Sequence, residues 1–520
     1  MKPGLLFSWP AKMFPKRPAI VFEGKRLTYR EVESRSNRVA NGLNGLPGRK
    51  GDRVAILLAN SLEAVEAIIG VAKSNRALVA LNARHTAREH AYVLNDSETE
   101  TVIFGEEFWD VMEQTRQEVR GVKNLICVGR KGPGVLDYEK WLWEQSPNEP
   151  LEEVSLEDLE RIHYTSGTTG QPKGSAWTYR IGLARYRNLL ANLDETIQPE
   201  DINLNVGPLT HAAGLVMNAY YTKGATNVIL PRFDPELILR TIQEEKVTNI
   251  LLIPTMIVML LNHPGIRRFD LSSLRGIYYG TSPISVEKLK EAILVFGRIF
   301  RQNYGLTEAP QPICVLRKED HMVNGTKEEV RRLASAGRPV LGIEVRVVKE
   351  NGEDVAPEEI GEILIRSDTV MQGYWKLPEA TALALRGGYL HTGDMATLDE
   401  QGYIYIVDRK HNMIISGGFN IYPREVEEAI NKHPAVLEAA VVGISDEVWG
   451  ESVKALVVLK QDQRATEEEI IEICRQHLAS YKKPKSVEFV DQLPRNPYGK
   501  VLYNVLKEKY TGIESRKKER

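Results

Sequence analysis

Several features that mark specialised classes of protein are scarce in this 520-residue sequence. Its three cysteines, Cys127, Cys314 and Cys474, are too few and too scattered for a disulfide framework or a zinc site, so we expect buried thiols in a reducing compartment. No apolar run approaches the roughly 20 residues that a membrane-spanning helix needs. Lys and Arg total 68 against 70 Asp and Glu, so the net charge of −2 disfavours a general nucleic-acid or membrane-surface binder.

The two ends of the sequence resemble no targeting signal. The first ten residues hold a very short apolar stretch interrupted by prolines, which makes a poor secretory signal. The last four, Lys-Lys-Glu-Arg, are not a peroxisomal address. We therefore expect a cytoplasmic protein whose partners include no nucleic acid and which has no membrane span.

Short apolar runs rich in β-branched residues alternate with segments of helical periodicity, such as 61–74 and 235–246. Runs that are apolar along their whole length are typical of strands buried on both faces, as in parallel sheets covered by helices. The alternation predicts an α/β fold with mostly parallel sheets in a large N-terminal part. The predicted strands are 54–58, 77–81, 101–105, 124–128, 226–230, 248–254 and 276–280.

The pattern changes after about residue 336. Residues 343–348 and 360–366 are predicted strands, and the Asn351-Gly352 pair between them favours a tight turn. An antiparallel β subdomain is therefore expected over about residues 336–408.

A polar stretch at 408–412 precedes the last part of the chain. Residues 423–431 and 466–478 have helical spacing there, and the block is long enough to form a small α+β domain. We therefore predict a large domain over residues 1–410 and a small one over residues 411–520.

The strongest local signal is the segment 164–174, Tyr-Thr-Ser-Gly-Thr-Thr-Gly-Gln-Pro-Lys-Gly. Its glycines let backbone N–H groups converge on an anion, its hydroxyls add donors, and Lys173 adds compensating charge. The segment therefore predicts a loop that binds polyphosphate. It is not a Walker A loop, because Lys173 follows Pro172 and precedes Gly174. The alternative interpretation is a flexible surface loop rich in turn formers.

This segment resembles the signature loop of the acyl-adenylate-forming superfamily, which includes acyl-CoA synthetases, the adenylation domains of peptide synthetases, and luciferases. The resemblance covers essentially the whole chain, because further motifs follow in the family's order. It implies a large N-terminal domain that holds the acyl and ATP sites and a small, mobile C-terminal domain that carries a catalytic lysine and the CoA channel.

The resemblance assigns an ATP site to motifs of the large domain. In Asn303-Tyr304-Gly305-Leu306-Thr307-Glu308, Tyr304 would stack on adenine, Thr307 would hold the phosphate or carboxylate, and Glu308 would hold Mg²⁺. Asp394 would accept hydrogen bonds from the ribose hydroxyls. The residues assigned to ATP are Thr165, Ser166, Gly167, Thr168, Thr169, Gly170, Lys173, Gly280, Thr281, Tyr304, Asp394 and Arg409.

Other residues are assigned to catalysis, to the hinge and to CoA. Lys500 matches the family's catalytic lysine, and His211 would border the acyl pocket, although a lone histidine is more often structural. His411 stands at the hinge position, where the family usually has Asp or Lys, and Phe419 stands where CoA-forming members usually have Glu. The residues assigned to CoA are Gly417, Gly418, Trp449, Tyr481, Lys483 and Lys485, with a solvated basic stretch as the alternative.

The resemblance implies an acid–CoA ligase that uses ATP, Mg²⁺ and CoA. A carboxylic acid would be activated as acyl-AMP with release of pyrophosphate, and CoA would then form the thioester. Gly305-Leu306 lacks the tryptophan of acetate-type enzymes, which favours a larger acid, with medium-chain, long-chain and aromatic acids all open. Loading of a carrier protein, a nucleotide-binding regulator without turnover and an oxygen-dependent light emitter are the alternatives. The oligomeric state is open, with a homodimer among the options.

Overall fold

Two large, mainly parallel β-sheets and two smaller, mainly antiparallel sheets organise the chain. The computed structural model describes residues 2, 4–165, 171–417, 419–446, 448–495 and 501–511, except for the side chains of His411 and Thr511. Strands and helices are numbered below in chain order over those residues.

The strands are β1 Pro18–Phe22, β2 Lys25–Thr28, β3 Arg53–Leu57, β4 Ala77–Ala80, β5 Thr99–Gly105, β6 Asn124–Val128, β7 Leu136–Asp137, β8 Leu159–Tyr164, β9 Gly174–Thr178, β10 Ile202–Asn205, β11 Thr226–Ile229, β12 Asn249–Leu252, β13 Gly276–Gly280, β14 Phe300–Tyr304, β15 Cys314–Leu316, β16 Arg338–Pro339, β17 Glu344–Val348, β18 Gly361–Arg366, β19 Gly373–Tyr374, β20 Leu385–Arg386, β21 Tyr389–Leu398, β22 Ile404–Arg409, β23 Ile414–Ser416, β24 Phe419–Ile421, β25 Val436–Asp446, β26 Gly450–Leu459 and β27 Ser486–Phe489.

The α-helices are α1 Leu5–Met13, α2 Tyr29–Gly45, α3 Leu62–Lys73, α4 Ala87–Asp96, α5 Trp109–Glu118, α6 Tyr138–Trp143, α7 Tyr179–Ala191, α8 Ala212–Thr222, α9 Pro235–Glu245, α10 Pro254–Leu261, α11 Val286–Phe296, α12 Lys327–Arg331, α13 Pro378–Ala384, α14 Pro423–Ile430, α15 Glu467–His477 and α16 Tyr503–Thr511.

The two large sheets confirm the predicted α/β class. The first has the order β19-β9-β8-β4-β3-β5-β6-β7 and is parallel from β8 to β7. The second has the order β16-β15-β14-β13-β12-β10-β11-β1-β2 and is parallel from β14 to β1. All seven predicted strands are present, and each begins and ends within two residues of its prediction.

Local capping explains where the two predicted helices of the large domain begin and end. The Ser61 side chain accepts a hydrogen bond from the Ala64 backbone N–H and starts α3. Asp234 does the same for the Leu237 N–H at the start of α9, and Lys246 ends that helix in the left-handed conformation with φ of 53°.

The predicted antiparallel subdomain is the sheet β17-β18-β21-β20, in which β22 also pairs with β21. Its first two strands are joined through the expected turn, where Gly352 has φ of 85°. The fourth sheet contains β23 to β27 and packs against α14, α15 and α16. Strand β22 ends at Arg409 and β23 begins at Ile414, so the proposed domain boundary lies between these two sheets.

Three further features concern the sequence composition. Cys127, Cys314 and Cys474 are buried free thiols, as predicted. Across the described ranges, the structure has no helix with both the length and the apolar character needed to cross a membrane. The short apolar stretch near the N-terminus forms α1, an unpredicted helix whose Phe7 and Ala11 are buried in the core.

Candidate active site

A cleft opens at the carboxyl ends of β13 and β14, the edge of a parallel sheet at which ligands usually bind. It encloses about 190 Å³ and is lined both by the large domain and by α14 and α16. Five residues assigned to ATP from the sequence meet in it: Gly280, Thr281, Tyr304, Asp394 and Arg409.

Gly280 shows why the backbone can approach a ligand here. A Cβ atom at this position would lie 2.3 Å from the Asn303 carbonyl oxygen, so a side chain does not fit. The next residue, Thr281, has φ of 68°, an uncommon conformation for a β-branched residue. Strained backbone of this kind is found most often at ligand sites.

Tyr304, Asp394 and Arg409 form one network in the lining of the cleft, in which Tyr304 and Asp394 are buried. The Tyr304 hydroxyl donates a hydrogen bond of 2.7 Å to Asp394 Oδ2, and Arg409 Nε lies 2.7 Å from Asp394 Oδ1. Asp394 and Arg409 face each other across β21 and β22, which fixes their register. Burial, and then the charge of Asp394, raise the pKa of Tyr304 well above its ordinary value, so its hydroxyl remains a donor. The network holds the carboxylate in place.

Glu308 is held by a second network. The Tyr374 hydroxyl donates a hydrogen bond of 2.8 Å to Glu308 Oε1, and the Met371 N–H donates to the Glu308 carbonyl oxygen. The Lys173 ammonium lies 5.1 Å from the centre of the Tyr374 ring. Lys173 and Glu308, which are 135 residues apart in sequence, therefore flank the same tyrosine.

Thr307 is positioned through its backbone. Trp177 Nε1 donates a hydrogen bond of 3.1 Å to the Thr307 carbonyl oxygen, and the Ser175 hydroxyl donates to the same atom. Both donors lie on β9, the strand that follows the predicted phosphate loop. The Thr307–Glu308 pair is thereby fixed against that strand.

The loop is closed at its base by its two ends. The Thr165 N–H donates to the Lys173 carbonyl oxygen at 3.0 Å, and the Lys173 N–H donates to the Thr165 hydroxyl at 3.3 Å. Strands β8 and β9 pair antiparallel on either side, so the segment is a hairpin connection. Ser166, Gly167, Thr168, Thr169 and Gly170 lie outside the described residues.

Glu308 is a suitable ligand for the Mg²⁺ that the resemblance implies. Its Oε1 accepts one hydrogen bond from Tyr374, which leaves the second oxygen for a cation. Mg²⁺ is usually held by one or two carboxylates together with substrate phosphates. No group of three or more His, Cys, Asp or Glu able to hold a metal occurs among the described residues.

His211 lies at the start of α8, beside the first sheet. Its ring meets the His163 ring edge-on, with the two centres 6.1 Å apart, and the His163 ring lies 4.8 Å from that of Trp177. Burial lowers the pKa of His211 to about 4, so it is neutral at pH 7. Trp177 thus connects His211 to the carbonyl group of Thr307.

Three of the residues assigned to CoA, Trp449, Tyr481 and Lys485, lie with Phe419 on an exposed face of the small domain, which we call the aromatic–lysine face (Phe419, Trp449, Tyr481 and Lys485). The Phe419 and Tyr481 rings stack with centres 4.6 Å apart, and Lys485 Nζ lies 5.2 Å from the Trp449 ring. Phe419, Trp449 and Tyr481 are 52 %, 48 % and 43 % exposed.

Gly417 lies next to this face. Its N–H donates to the Trp449 carbonyl oxygen, and a Cβ atom would come within 2.5 Å of the Trp449 ring. Phe419, the departure from the family pattern, is part of the aromatic stack. Lys483 is half-buried nearby in sequence.

Besides the five loop residues 166–170, three predicted residues cannot be placed, because Gly418, Lys500 and the side chain of His411 lie outside the described residues. Sequence reasoning also missed functional neighbours, above all Tyr374 and Glu427. Tyr374 has no sequence signal beyond the aromatic pair Tyr374-Trp375, since its partner is 66 residues away.

Glu427, from α14, brings the small domain into the cleft. Its carboxylate Oε1 accepts hydrogen bonds from the Tyr503 hydroxyl and from the Val441 N–H, each of 2.8 Å. Desolvation, and then the charge of Asp408, raise its pKa to about 8. This carboxyl group is therefore mostly protonated at pH 7.

Comparisons with known proteins give matches over nearly the whole chain. The family "AMP-binding enzyme" matches residues 7–375, and "AMP-binding enzyme C-terminal domain" matches residues 425–500. The chain is 37 % identical to a feruloyl-CoA synthase of Amycolatopsis sp (97 % of this chain, 99 % of the relative). It is 35 % identical to a medium/long-chain-fatty-acid–CoA ligase of Mycobacterium tuberculosis (96 % and 88 %). It is also 34 % identical to a fatty acid–acyl-carrier-protein ligase of Streptomyces coeruleorubidus (98 % and 96 %).

A solved structure resembles the fold over nearly its whole length. The anthranilate CoA ligase in complex with anthranoyl-AMP superposes with a TM-score of 0.89 at 26 % identity, covering 98 % of this chain and 97 % of the other. Family matches over both domains and full-length relatives above 30 % identity place the sequence in one group. The chain belongs to the AMP-binding enzyme family.

Proposed function

We propose that this chain is an AMP-forming acid–CoA ligase that activates a fatty or aromatic carboxylic acid. One observation carries the proposal: Tyr304, Asp394 and Arg409 form a network that lines one cleft, and Glu308, held by Tyr374, is close enough to Arg409 for its charge to act on that guanidinium. That arrangement offers an aromatic ring and a carboxylate for a nucleoside, and a second carboxylate for the cation that accompanies polyphosphate.

In the first step the carboxylate of the acid attacks the α-phosphorus of ATP. The new bond joins carboxylate oxygen to phosphorus, and pyrophosphate leaves with the electron pair of the broken P–O bond. Two anions must approach each other, so the barrier is largely electrostatic and falls with preorganised positive groups. Lys173 and, by resemblance, Lys500 supply them. No general base is needed, because the acid is already ionised at pH 7.

Glu308 would hold the cation, whose chemical contribution when bound is to neutralise negative charge on the triphosphate. The protein's part is to keep that carboxylate in place, which the Tyr374 hydroxyl and the Met371 N–H do. Asp394, held by Tyr304 and Arg409, would orient the ribose.

In the second step the sulfur of CoA attacks the acyl carbon. The C–S bond forms, the C–O bond to AMP breaks, AMP leaves with the electron pair, and the thiol proton goes to solvent. The aromatic–lysine face would hold the CoA nucleotide, with Trp449 against the adenine and Lys485 beside its phosphate. In this proposal the small domain moves between steps, which withdraws Lys500 and brings the Gly417 segment to the adenylate.

Loading of a carrier-protein thiol is the second candidate. The observation that favours it is the 34 % identical relative that acts on an acyl-carrier protein. Lys485 beside an exposed tryptophan favours free CoA, because an adenine ring and a phosphate match that pair.

The test is release of pyrophosphate from ATP and Mg²⁺ with a panel of fatty and aromatic acids, followed by addition of CoA or of a carrier protein bearing its pantetheine arm. We expect pyrophosphate release with at least one acid and thioester with CoA. Thioester with the carrier alone would identify the second candidate. Failure of every acid to drive pyrophosphate exchange would instead indicate a nucleotide-binding regulator, and light emission with oxygen would indicate a luciferase-like activity.

A further inference from the structure

Arg185 is a buried cation that has no carboxylate partner among the described residues. It is 1 % exposed on α7. The other buried cations each have an acidic partner: Lys73 with Glu33, Arg76 with Asp52, Arg161 with Glu160 and Arg301 with Asp194. Arg185 has a long hydrogen bond of 3.5 Å from Nη1 to the Leu215 carbonyl oxygen, and its guanidinium carbon lies 5.8 Å from the centre of the Tyr186 ring.

The charge on Arg185 persists at neutral pH. Burial lowers its pKa to about 10, which still leaves the guanidinium protonated at pH 7. A buried charge without a partner is costly, so charged groups in protein interiors are normally paired. A ligand that supplies an oxygen acceptor would remove this cost.

Two neighbouring polar groups also lack partners in the described structure. Arg185 Nε, Asn218 Oδ1 and His163 Nε2 are all buried without a hydrogen-bond partner. Asn218 lies on α8, one turn beyond the Leu215 carbonyl group that Arg185 contacts. His163 lies on β8, where burial and then the charge of Arg161 lower the pKa of its imidazole; Arg185 is close enough to add a smaller contribution. Arg185 Nε, a hydrogen-bond donor, and Asn218 Oδ1, an acceptor, are therefore both unused in the same region.

This region adjoins the candidate reaction centre. Leu215 packs in one apolar cluster with Trp177, Ile181 and Tyr374. Within that cluster, Trp177 donates to the Thr307 carbonyl oxygen and Tyr374 donates to Glu308. The Leu215 N–H donates to the carbonyl oxygen of His211 at 3.3 Å, so Arg185 contacts the helix one turn from His211.

We infer that Arg185 and Asn218, with His163, recognise a hydroxyl group at the far end of the acyl substrate; this rests on the proposed function. A hydroxyl can accept from Arg185 and donate to Asn218, whereas a carboxylate would satisfy Arg185 alone. A plain alkyl chain would leave both groups unpaired. The substrate class is therefore carboxylic acids with a distal hydroxyl, phenolic or aliphatic, rather than plain fatty acids.

The test compares matched acids. Cinnamate is paired with 4-hydroxycinnamate, and hexanoate with 6-hydroxyhexanoate and with adipate, and kcat/KM is measured by pyrophosphate release. We expect the hydroxylated member of each pair to be favoured about tenfold or more, because a site built to bind a hydroxyl rejects the analogue that lacks it. Equal kcat/KM values for both members of each pair would overturn the inference. A preference for adipate would mean that the site recognises an anion and not a hydroxyl group, which would also overturn it.

Arg185→Met and Asn218→Ala are the test variants, and Arg180→Met, at an exposed position on the same helix, is the matched control. We expect both test variants to lose the preference by losing activity toward the hydroxylated acid, while cinnamate stays within about threefold and the control changes neither. An equal loss with both acids would make Arg185 structural and overturn the inference. If Arg185→Met does not fold, the inference is tested by Asn218→Ala and by the preference of the wild type for the hydroxylated acid of each pair. Turnover of no acid by the wild type would instead contradict the proposed function.

Discussion

The nucleotide cleft and the aromatic–lysine face differ in how their functional side chains are supported. In the cleft, Asp394 is 4 % exposed and is held by both Tyr304 and Arg409. On the face, Trp449 is 48 % exposed, and its neighbour Lys485 pairs with Asp446 at the surface. One region is arranged before a ligand arrives, and the other is open.

The difference fits the two ligands that we propose. Fixed carboxylates and a buried ring suit a step in which charges must be positioned within fractions of an ångström, because a preorganised site needs no rearrangement during reaction. An open aromatic face suits the far end of a long thiol ligand, for which stacking matters more than exact geometry. Changes in the cleft should therefore affect the first half-reaction, and changes on the face only the second.

The largest effect is expected from Lys500→Ala, which separates the two half-reactions. Loss of a cation between the carboxylate and the α-phosphate should lower the adenylation rate by about 100- to 1,000-fold. Thioester formation from supplied acyl-adenylate should be largely retained. Rapid-quench assays of each half-reaction give the two rates, and equal loss in both would contradict the division between cleft and face.

Asp394→Asn should have the next largest effect, confined to the cleft. Removing the charge weakens hydrogen bonds from both Tyr304 and Arg409, and charge-assisted bonds contribute about 1.5–3 kcal/mol. We expect weaker ATP binding by about 2 kcal/mol, measured by calorimetry, and lower stability in urea.

Tyr304→Phe is the matched control for that change. It removes one hydrogen bond to Asp394 and keeps the ring, so ATP binding should weaken by about 1 kcal/mol or less. If the two variants weakened ATP binding equally, the Asp394–Arg409 pair would not support the nucleotide.

Trp449→Ala should affect only the step that uses CoA. Loss of a stacking surface for adenine should raise the KM for CoA about tenfold, near the lower end of the energies measured for base stacking. Pyrophosphate exchange without CoA should be unchanged. Val448→Ala, at a neighbouring position that is 80 % exposed, is the control and should alter neither value. Slower pyrophosphate exchange in Trp449→Ala would contradict the assignment of the cleft to the first half-reaction and of the face to the second.

The sequence predicted the residues that line the cleft better than the residues that hold the functional side chains in place. Apolar runs such as 276–280 located the strands, and the order of motifs brought Gly280, Tyr304 and Asp394 to one place. The partner of Glu308 could not be predicted, because Tyr374 reaches it only through the pairing of β19 with β9. Likewise, the sequence could not predict that Arg185 lacks a carboxylate partner, because the pairing of charges depends on which residues the fold brings together.

The smallest effect concerns Glu427, which lies where the small domain meets the cleft. Its pKa is about 8 in the folded protein and near 4.5 ordinarily, so between these values the folded state holds a proton that the unfolded state has lost. The stabilisation from this group is full below about pH 4.5 and is lost as the pH rises through about 8.

Glu427→Gln should therefore flatten the fall in the free energy of unfolding between about pH 4.5 and 8, by at most about 1.4 kcal/mol per pH unit. Urea unfolding at a series of pH values measures this slope. Glu428→Gln on the same helix, whose carboxylate is more exposed and pairs with Arg424, should leave the slope unchanged. An unchanged slope in Glu427→Gln would mean that this carboxyl group is ionised in the folded protein. The cleft would then carry a negative charge on its small-domain side, facing the region where the nucleotide is proposed to bind.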